Sequence, residues 1–295
     1  MVTAYKVNRP LTEQEKASHL AVKKQHSKEV HYALSLLKLN STFAESVDKF
    51  YGVRGFAAMG GGIAAALVTS GLLYLLFLDL TTGFDLFWIN YLLAFVVGGA
   101  AWFIFSRDAF TYTHYPIRFN RKNRAVYVWR RDGSVLKADW ESLYFTIYGH
   151  SVGFRDLYVV GHVLADDRNT VKETFALSMI VGGVSGENRL RTHFEFYRRY
   201  MEQGPSSELL DHTRKHWLPP LDERREGYWW GLRMLWSDSV GLRLLALIQA
   251  PIVLLESLFR WVVMRTSKIP RWPDWVEAEC AIEPGDPWVR DAHRH

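Results

Sequence analysis

Few side chains in this sequence stand where a reaction would need them. His212 and His216 are four residues apart, so on a helix both imidazoles would share one face, the geometry a divalent metal requires. The glutamate found between the histidines of a zinc-protease helix is missing, as is a third ligand, and the pair reads as solvated side chains with no metal. Gly182-Gly183-Val184-Ser185-Gly186 opens a helix and could offer backbone amides to an anion, but it lacks the lysine and Ser/Thr of a phosphate loop. It reads as a strand-to-helix turn. Ser151 and Ser185 have glycine neighbours without the Gly-x-Ser-x-Gly elbow that exposes a nucleophile. Asp166-Asp167 with Arg168-Asn169 reads as a hairpin tip with no second carboxylate placed for acid/base work. The residues therefore nominate no catalytic centre and no cofactor, and the expectation is a protein that is not an enzyme. What remains is basic. Arg118, Arg121, Lys122 and Arg124, followed by Arg130 and Arg131, lie close behind an apolar segment. Such a cluster directs topology and attracts anionic headgroups, at ~1 kcal/mol per residue near the surface. Arg118, Arg121, Lys122 and Arg124 are the candidate set for binding a partner or a headgroup.

The elements that carry these residues begin with two charge-free runs, Gly55 to Leu78 and Leu86 to Phe105. At ~1.5 Å per residue they make helices of about 36 and 30 Å, matching a hydrocarbon core of ~30 Å. The short connection Asp79 to Asp85 returns the second helix antiparallel to the first, which predicts a two-helix transmembrane hairpin over 55–107. That connection has no lysine or arginine, whereas Lys49 and Arg54 flank one end of the pair and Arg107, Arg118, Arg121, Lys122 and Arg124 follow the other. Positive charge marks the cytoplasmic side, so both termini and nearly all soluble mass are expected inside a bacterial inner membrane. More than fifty mostly polar residues precede the first run, unlike a cleavable signal peptide. Gly60, Gly61, Gly62, Ala64, Ala65, Ala66, Ser70 and Gly71, with Gly98, Gly99, Ala100 and Ala101, allow close helix packing. They close the hairpin or serve a homodimer or partner helix.

Composition narrows the classes further. A single cysteine, Cys280, excludes an intramolecular disulfide or a cysteine-based zinc site. The net charge of +5 is spread over the chain, without the density of a nucleic-acid binder.

In the soluble parts, Thr12-Glu13-Gln14-Glu15 reads as a capping box for a helix reaching about Lys38, and Thr42-Phe43-Ala44-Glu45 repeats it. Residues 1–54 are thus expected as cytoplasmic helices. From Tyr112 to Leu177 short β-rich runs alternate with turns at 120–123, 132–133 and 166–169, predicting six antiparallel strands. A helix over about Glu187 to Gln203 follows, with Leu190, Phe194, Tyr197 and Met201 on one stripe. Residues 108–204 form the expected cytoplasmic β domain. The Trp- and Pro-rich remainder, 205–295, reads as a helical tail. Its apolar stretch Leu244 to Met264 would carry Glu256 to mid-bilayer if it spanned, at a cost of ~2.5–3.5 kcal/mol, so an interfacial or docked helix is preferred.

Six strands closed by one helix, with the basic turn Asn120-Arg121-Lys122-Asn123, Val126-Tyr127-Val128 and Trp140-Glu141-Ser142-Leu143, resemble a bacterial pleckstrin-homology-like arrangement over roughly 112–203. The whole order is an N-terminal cytoplasmic segment, a hairpin, Tyr115-Pro116-Ile117-Arg118-Phe119-Asn120-Arg121 with Ala125-Val126-Tyr127-Val128, and a Trp/Pro-rich tail. It resembles an uncharacterised proteobacterial inner-membrane family often encoded beside type VI secretion effectors. That resemblance implies an immunity or accessory protein binding a cognate effector or secretion component. The alternative is a membrane-anchored signalling or scaffold module that binds lipid headgroups or a peptide. The fold class expected is an α+β membrane protein.

Overall fold

A computed structural model describes residues 5–32, 34–82, 88–149, 156–182, 186–215, 218–221, 224–238 and 243–292. Ser151, Ser185, His216 and most of the Gly182–Gly186 turn lie outside the described residues. In chain order, β1 (Arg9–Pro10), α1 (Glu13–Ala17), β2 (His19–Leu20), β3 (Leu36–Leu39) and β4 (Phe43–Val47) come first. Next are α2 (Phe56–Thr82) and α3 (Trp88–Ser106), then β5 (Pro116–Asn120), β6 (Ala125–Trp129), β7 (Val135–Asp139), β8 (Leu143–Gly149), β9 (Asp156–Leu164) and β10 (Thr170–Gly182). The chain ends with α4 (Gly186–Gln203), α5 (Ser207–Lys215), α6 (Tyr228–Asp238), α7 (Arg243–Thr266) and α8 (Asp274–Glu279). Among the described residues this is an α+β protein with eight helices and two antiparallel sheets. It divides into a β unit, residues 1–52, 114–224 and 269–295, and a helical unit, 53–113 and 225–268.

In the β unit one sheet runs β3-β4-β5-β6-β7 and the other β1-β10-β9-β8-β2. Strands β5 to β10 fall where alternation and turn chemistry place them. Asn120 Oδ1 accepts the Asn123 N–H (2.9 Å) and Arg124 takes φ 52°, closing β5 to β6. Asp167 Oδ1 accepts the N–H groups of Asn169 (2.9 Å) and Thr170 (2.8 Å) between β9 and β10. The predicted stripe on α4 is buried as a whole, Leu190, Phe194, Tyr197 and Met201 meeting Ile117, Phe119, Val126 and Phe145 of the sheets in one core. Gly161 makes room for rings: a Cβ there would stand 2.5 Å from Phe175 Cζ.

The N-terminal helices expected over 1–54 are a correction. The capping box at Thr12 exists, with Thr12 Oγ1 accepting Glu15 N–H (3.2 Å) and Glu15 Oε2 accepting Thr12 N–H (2.8 Å). Its helix ends after five residues. The following segment has no continuous apolar stripe; Leu20, Val22, Val30 and Tyr32 enter the core one by one, and His19–Leu20 pairs with β8. Thr42 to Glu45 begins a central strand, not a helix. All five β4 residues are buried, and Glu45 lies directly opposite Arg118, so its carboxylate answers a cross-strand guanidinium instead of a helix end.

In the helical unit α2 and α3 pack closely. A Cβ on Gly61 would approach Ala101 O to 2.5 Å, and one on Gly62 would reach the Phe259 ring of α7 at 2.2 Å, whereas Gly60, Gly71, Gly98 and Gly99 have nothing within 4 Å. Asp108 Oδ2 accepts the N–H groups of Gly55 (3.2 Å), Ala57 (3.1 Å) and Ala58 (3.2 Å), supplying a carboxylate where the helix start needs one. The apolar stretch at 244–264 is one continuous helix, α7, packed on α2 and α6. Its Arg260 is fully buried and donates through Nε and Nη2 to Glu226, itself 1% exposed.

Candidate functional site

The four basic candidates do not form a free patch. Arg118 is 1% exposed, lies between the rings of Phe43 (4.3 Å) and Trp272 (4.9 Å), and bonds Glu45 (2.7 Å) and Glu277 (3.1 Å). Buried there, it reaches neither a partner nor a headgroup, which corrects its place in the candidate set. It belongs to a polar row one residue wide across five strands: Lys38, Glu45, Arg118, Tyr127 and Lys137. α8 docks on that row, Glu277 on Arg118 and Glu279 on Tyr127 and Lys137 (2.7 Å). Arg124 donates to Met201 O at the end of α4 and pairs with Glu141 and Glu202. The half-buried Arg121 guanidinium stands beside Gly204, which takes φ 84° as α4 terminates. Both cations meet the carbonyl end of a helix, where positive charge is favourable. Lys122 is exposed and pairs with Glu283 at 3.1 Å.

Two buried histidines carry the chemistry that most resembles a reaction centre. His193 Nδ1–H donates to His31 O (3.1 Å), which leaves Nε2 to accept the Ser178 hydroxyl at 3.2 Å. The order is that of a nucleophile, a base and an orienting carbonyl. Burial, however, drives the His193 imidazole down to about 3, so it is neutral and a very weak base near neutral pH. His162 Nε2 lies 3.3 Å from Glu15 Oε1, and Nδ1 meets Thr174 Oγ1 at 2.8 Å. Burial lowers that imidazole to about 4 despite the carboxylate beside it. Burial alone would raise Glu15, but the Arg9 guanidinium and the Thr12 N–H outweigh it and hold the carboxyl at about 2. These contacts fasten β1 and α1 to the sheet. His212 packs on Tyr32 and His31, and among the described residues no three metal-binding side chains converge.

The opening suited to a ligand was not legible in the sequence. A cleft of about 390 Å³ lies between the two sheets, with apolar lining from Ile117 of β5, Val128 and Trp129 of β6, and Phe175 of β10. Tyr5 and Val7 bound it from the N-terminal segment, and Phe50 and Tyr115 from the ends of β4 and β5. Arg130 pairs with Glu173 (2.9 Å) at its edge, and Arg131 is exposed on its rim. The Tyr5 hydroxyl is buried with no hydrogen-bond partner among the described residues, and burial pushes its phenol far up. Largely apolar walls with a few polar groups are what small ligands and anchoring side chains occupy. Five separate stretches of chain contribute to the lining, which is why no local motif announced it.

The chain is thus an α+β protein with a β unit holding an open apolar cleft and a helix, α2, long and apolar enough to cross a membrane. It belongs to the family described as "Family of unknown function (DUF6708)", whose model matches residues 94–284, about two thirds of its length. The match begins inside α3 and so leaves out β1 to β4, which complete both sheets. No curated protein and no solved structure matches the chain.

Proposed function

We propose that this is a membrane-anchored binding protein of a proteobacterial inner membrane. α2 and α3 form a transmembrane hairpin, and the β unit, a pleckstrin-homology-like sandwich closed by α4, works on the cytoplasmic side with both termini. The observation that carries the reading is the outer surface of the two helices. Leu67 (68%), Leu73 (62%), Phe77 (60%), Leu80 (77%) and Phe95 (79%) face outward, a continuous apolar exposure that water-facing surfaces do not sustain. The lysine- and arginine-free connection supports the orientation, and the order β4 to β7, β8 to β10, α4 supports the sandwich type.

The function we propose is capture of a protein, a type VI secretion effector or component, as an immunity or accessory factor. Internal ion pairs at Arg118, Lys122 and Arg124 weaken the headgroup alternative. The cleft favours an apolar side chain of the partner, with an acidic neighbour for Arg131 and a hydrogen-bond acceptor for the Tyr5 hydroxyl. A homodimer would use the open small-residue faces at Gly71, Gly98 and Gly99.

Co-purification from gently solubilised membranes, with the products of adjacent genes as candidates, tests the reading. Binding is expected to be lost in Val128→Arg and weakened several-fold in Arg131→Glu, with Lys122→Glu indistinguishable from the unchanged protein. Loss in Lys122→Glu alone would favour the headgroup or peptide module. A reporter fused after Thr113 that is active only in the periplasm would overturn the orientation.

A further inference from the structure

We infer that α7, backed by α6, lies in the plane of the membrane as an amphipathic foot, at the end of the helix pair where α2 begins and α3 ends, with one apolar face sunk into the lipid bilayer. This rests on reading α2 and α3 as membrane-crossing.

Each face of α7 has a different neighbour. Val253, Ser257, Arg260 and Met264, at spacings of three and four, are buried. Ser257 donates to Tyr228 O of α6 (3.4 Å), and Arg260 bonds Glu226 ahead of that helix. The opposite side carries Ile248 (68%), Ile252 (58%), Leu254 (46%), Leu255 (38%), Leu258 (47%) and Trp261 (37%), with no charge among them. Such a face has the pattern of an interfacial helix, not of a helix in water.

Depth follows from where α7 meets α2. A Cβ on Gly55 would touch Arg260, one on Gly62 would touch Phe259, and Ala58 clusters with Val263. All of these contacts fall within the first two turns of α2, a stretch of ~10 Å along its axis. Farther along, α2 is open: Ile63, Ala65, Ala66 and Leu67 are exposed and Gly71 has nothing within 4 Å. α7 therefore crosses α2 near its start and does not follow it inward. That depth is the headgroup–acyl boundary, where an in-plane helix settles at ~5–10 Å.

Aromatic rings and cations mark the same level. Trp102 and Phe110 at the end of α3 are exposed with Trp229 and Trp261, a belt of the kind found at membrane surfaces. Arg107, Arg233, Arg265 and Lys268 are exposed around it, and the Arg265 guanidinium lies 5.5 Å from the Trp261 ring. Of the acids in this region Glu226 bonds Arg260, Asp108 bonds the N–H groups at the start of α2 and Glu256 is half-buried, while the cations are exposed, a balance that suits anionic phospholipid.

The test uses the full chain with Cys280→Ser, carrying one nitroxide-labelled cysteine at Ile252, Ile248, Leu67 or Lys172, in vesicles of phosphatidylcholine with a minority of phosphatidylglycerol. Accessibility to oxygen and to a water-soluble nickel chelate is read by power saturation. At 252 and 248 oxygen access should exceed nickel access several-fold, at a depth of ~5–10 Å, shallower than position 67 near the ~15 Å midplane. Position 172 should show the reverse preference. Nickel access at 252 and 248 equal to that at 172, with 67 still deep, would overturn the inference and leave the membrane reading intact. Depth equal to that of 67 would make α7 a span, and protection from both reagents would put protein, such as a second copy, on this face; either overturns it. Nickel access at 67 would remove the membrane reading itself, and the foot with it.

Discussion

Two buried ion pairs, one in each unit, are alike in geometry and opposite in setting. Arg118 and Glu45 face each other across β4 and β5 at 2.7 Å, beneath a surface rich in charge, and Glu277 reaches the same guanidinium from α8. Arg260 and Glu226 are 0% and 1% exposed in their side chains, inside a unit that exposes many Leu, Ile, Phe and Trp side chains. The β unit keeps hydrocarbon inside and charge outside, whereas the helical unit exposes long apolar side chains along α2, α3 and α7 and holds this charged pair inside. The difference teaches that burial has a different meaning on the two sides. In the β unit a second carboxylate, Glu277, bonds the same guanidinium, while in the helical unit the Glu226 carboxylate takes both Nε and Nη2 of Arg260.

The largest effect that would break this contrast is removal of one acid. Glu226→Ala should cost ~3–5 kcal/mol, because it removes the carboxylate bonded to both Nε and Nη2 of the fully buried Arg260. Glu45→Ala should cost less, ~2 kcal/mol, since Glu277 still answers Arg118. Thermal unfolding of the full chain in lipid or detergent would read both, and a larger loss for Glu45→Ala would reverse the comparison. Acid comes next and should act on the β unit. His193 sits at about 3 against an ordinary 6.5, so folding favours its neutral form. Its contribution is whole above about 6.5 and is lost as pH falls toward 3, which at pH 5 amounts to ~2 kcal/mol. Denaturant midpoints between pH 7 and 4 should fall, and His193→Asn, whose amide can still donate to His31 O, should flatten the slope.

A smaller contrast lies within the helical unit. Gly61→Ala forces α2 and α3 apart and should cost ~1–3 kcal/mol, while Gly60→Ala, facing open space, should be neutral or raise the melting temperature. The smallest effect is at the surface. Lys122→Ala should change stability by less than ~0.5 kcal/mol, its pair with Glu283 being more than half exposed on both sides. A loss above 1 kcal/mol would mean the turn holds the C-terminal segment more tightly than an exposed pair allows.

Legibility followed the range of the interactions. β5 to β10 and α4 were readable because alternation, Asp-Gly and Asn-rich turns and the Leu190-to-Met201 stripe are local signals. β1 and β2, of two residues each, have no period to read, and their partners lie far along the chain, Arg9 opposite Val171 and His19 opposite Thr146. The capping box at Thr12 was correctly placed but said nothing of length, because tertiary burial of Leu20 and Tyr32 overrode the helix. For the candidate site, the basic turn was visible and its availability was not: the acids that answer Arg118, Tyr127 and Lys122 come from Glu277, Glu279 and Glu283, more than 150 residues later.

Apolar length, the absence of cations between the two apolar runs, the β meander and the poverty of reactive constellations are properties of neighbouring residues, and the chain's order alone determined them. Which charges are spent internally, that residues 5–47 complete two sheets instead of forming helices, that α7 packs on the first turns of α2, and that a cleft opens between Ile117, Val128 and Phe175 were decided only by tertiary structure. The reason is physical. A helix or hairpin is stabilised by bonds a few residues apart, whereas an ion pair, a seam between sheets or a buried face exists only once distant segments have together excluded water.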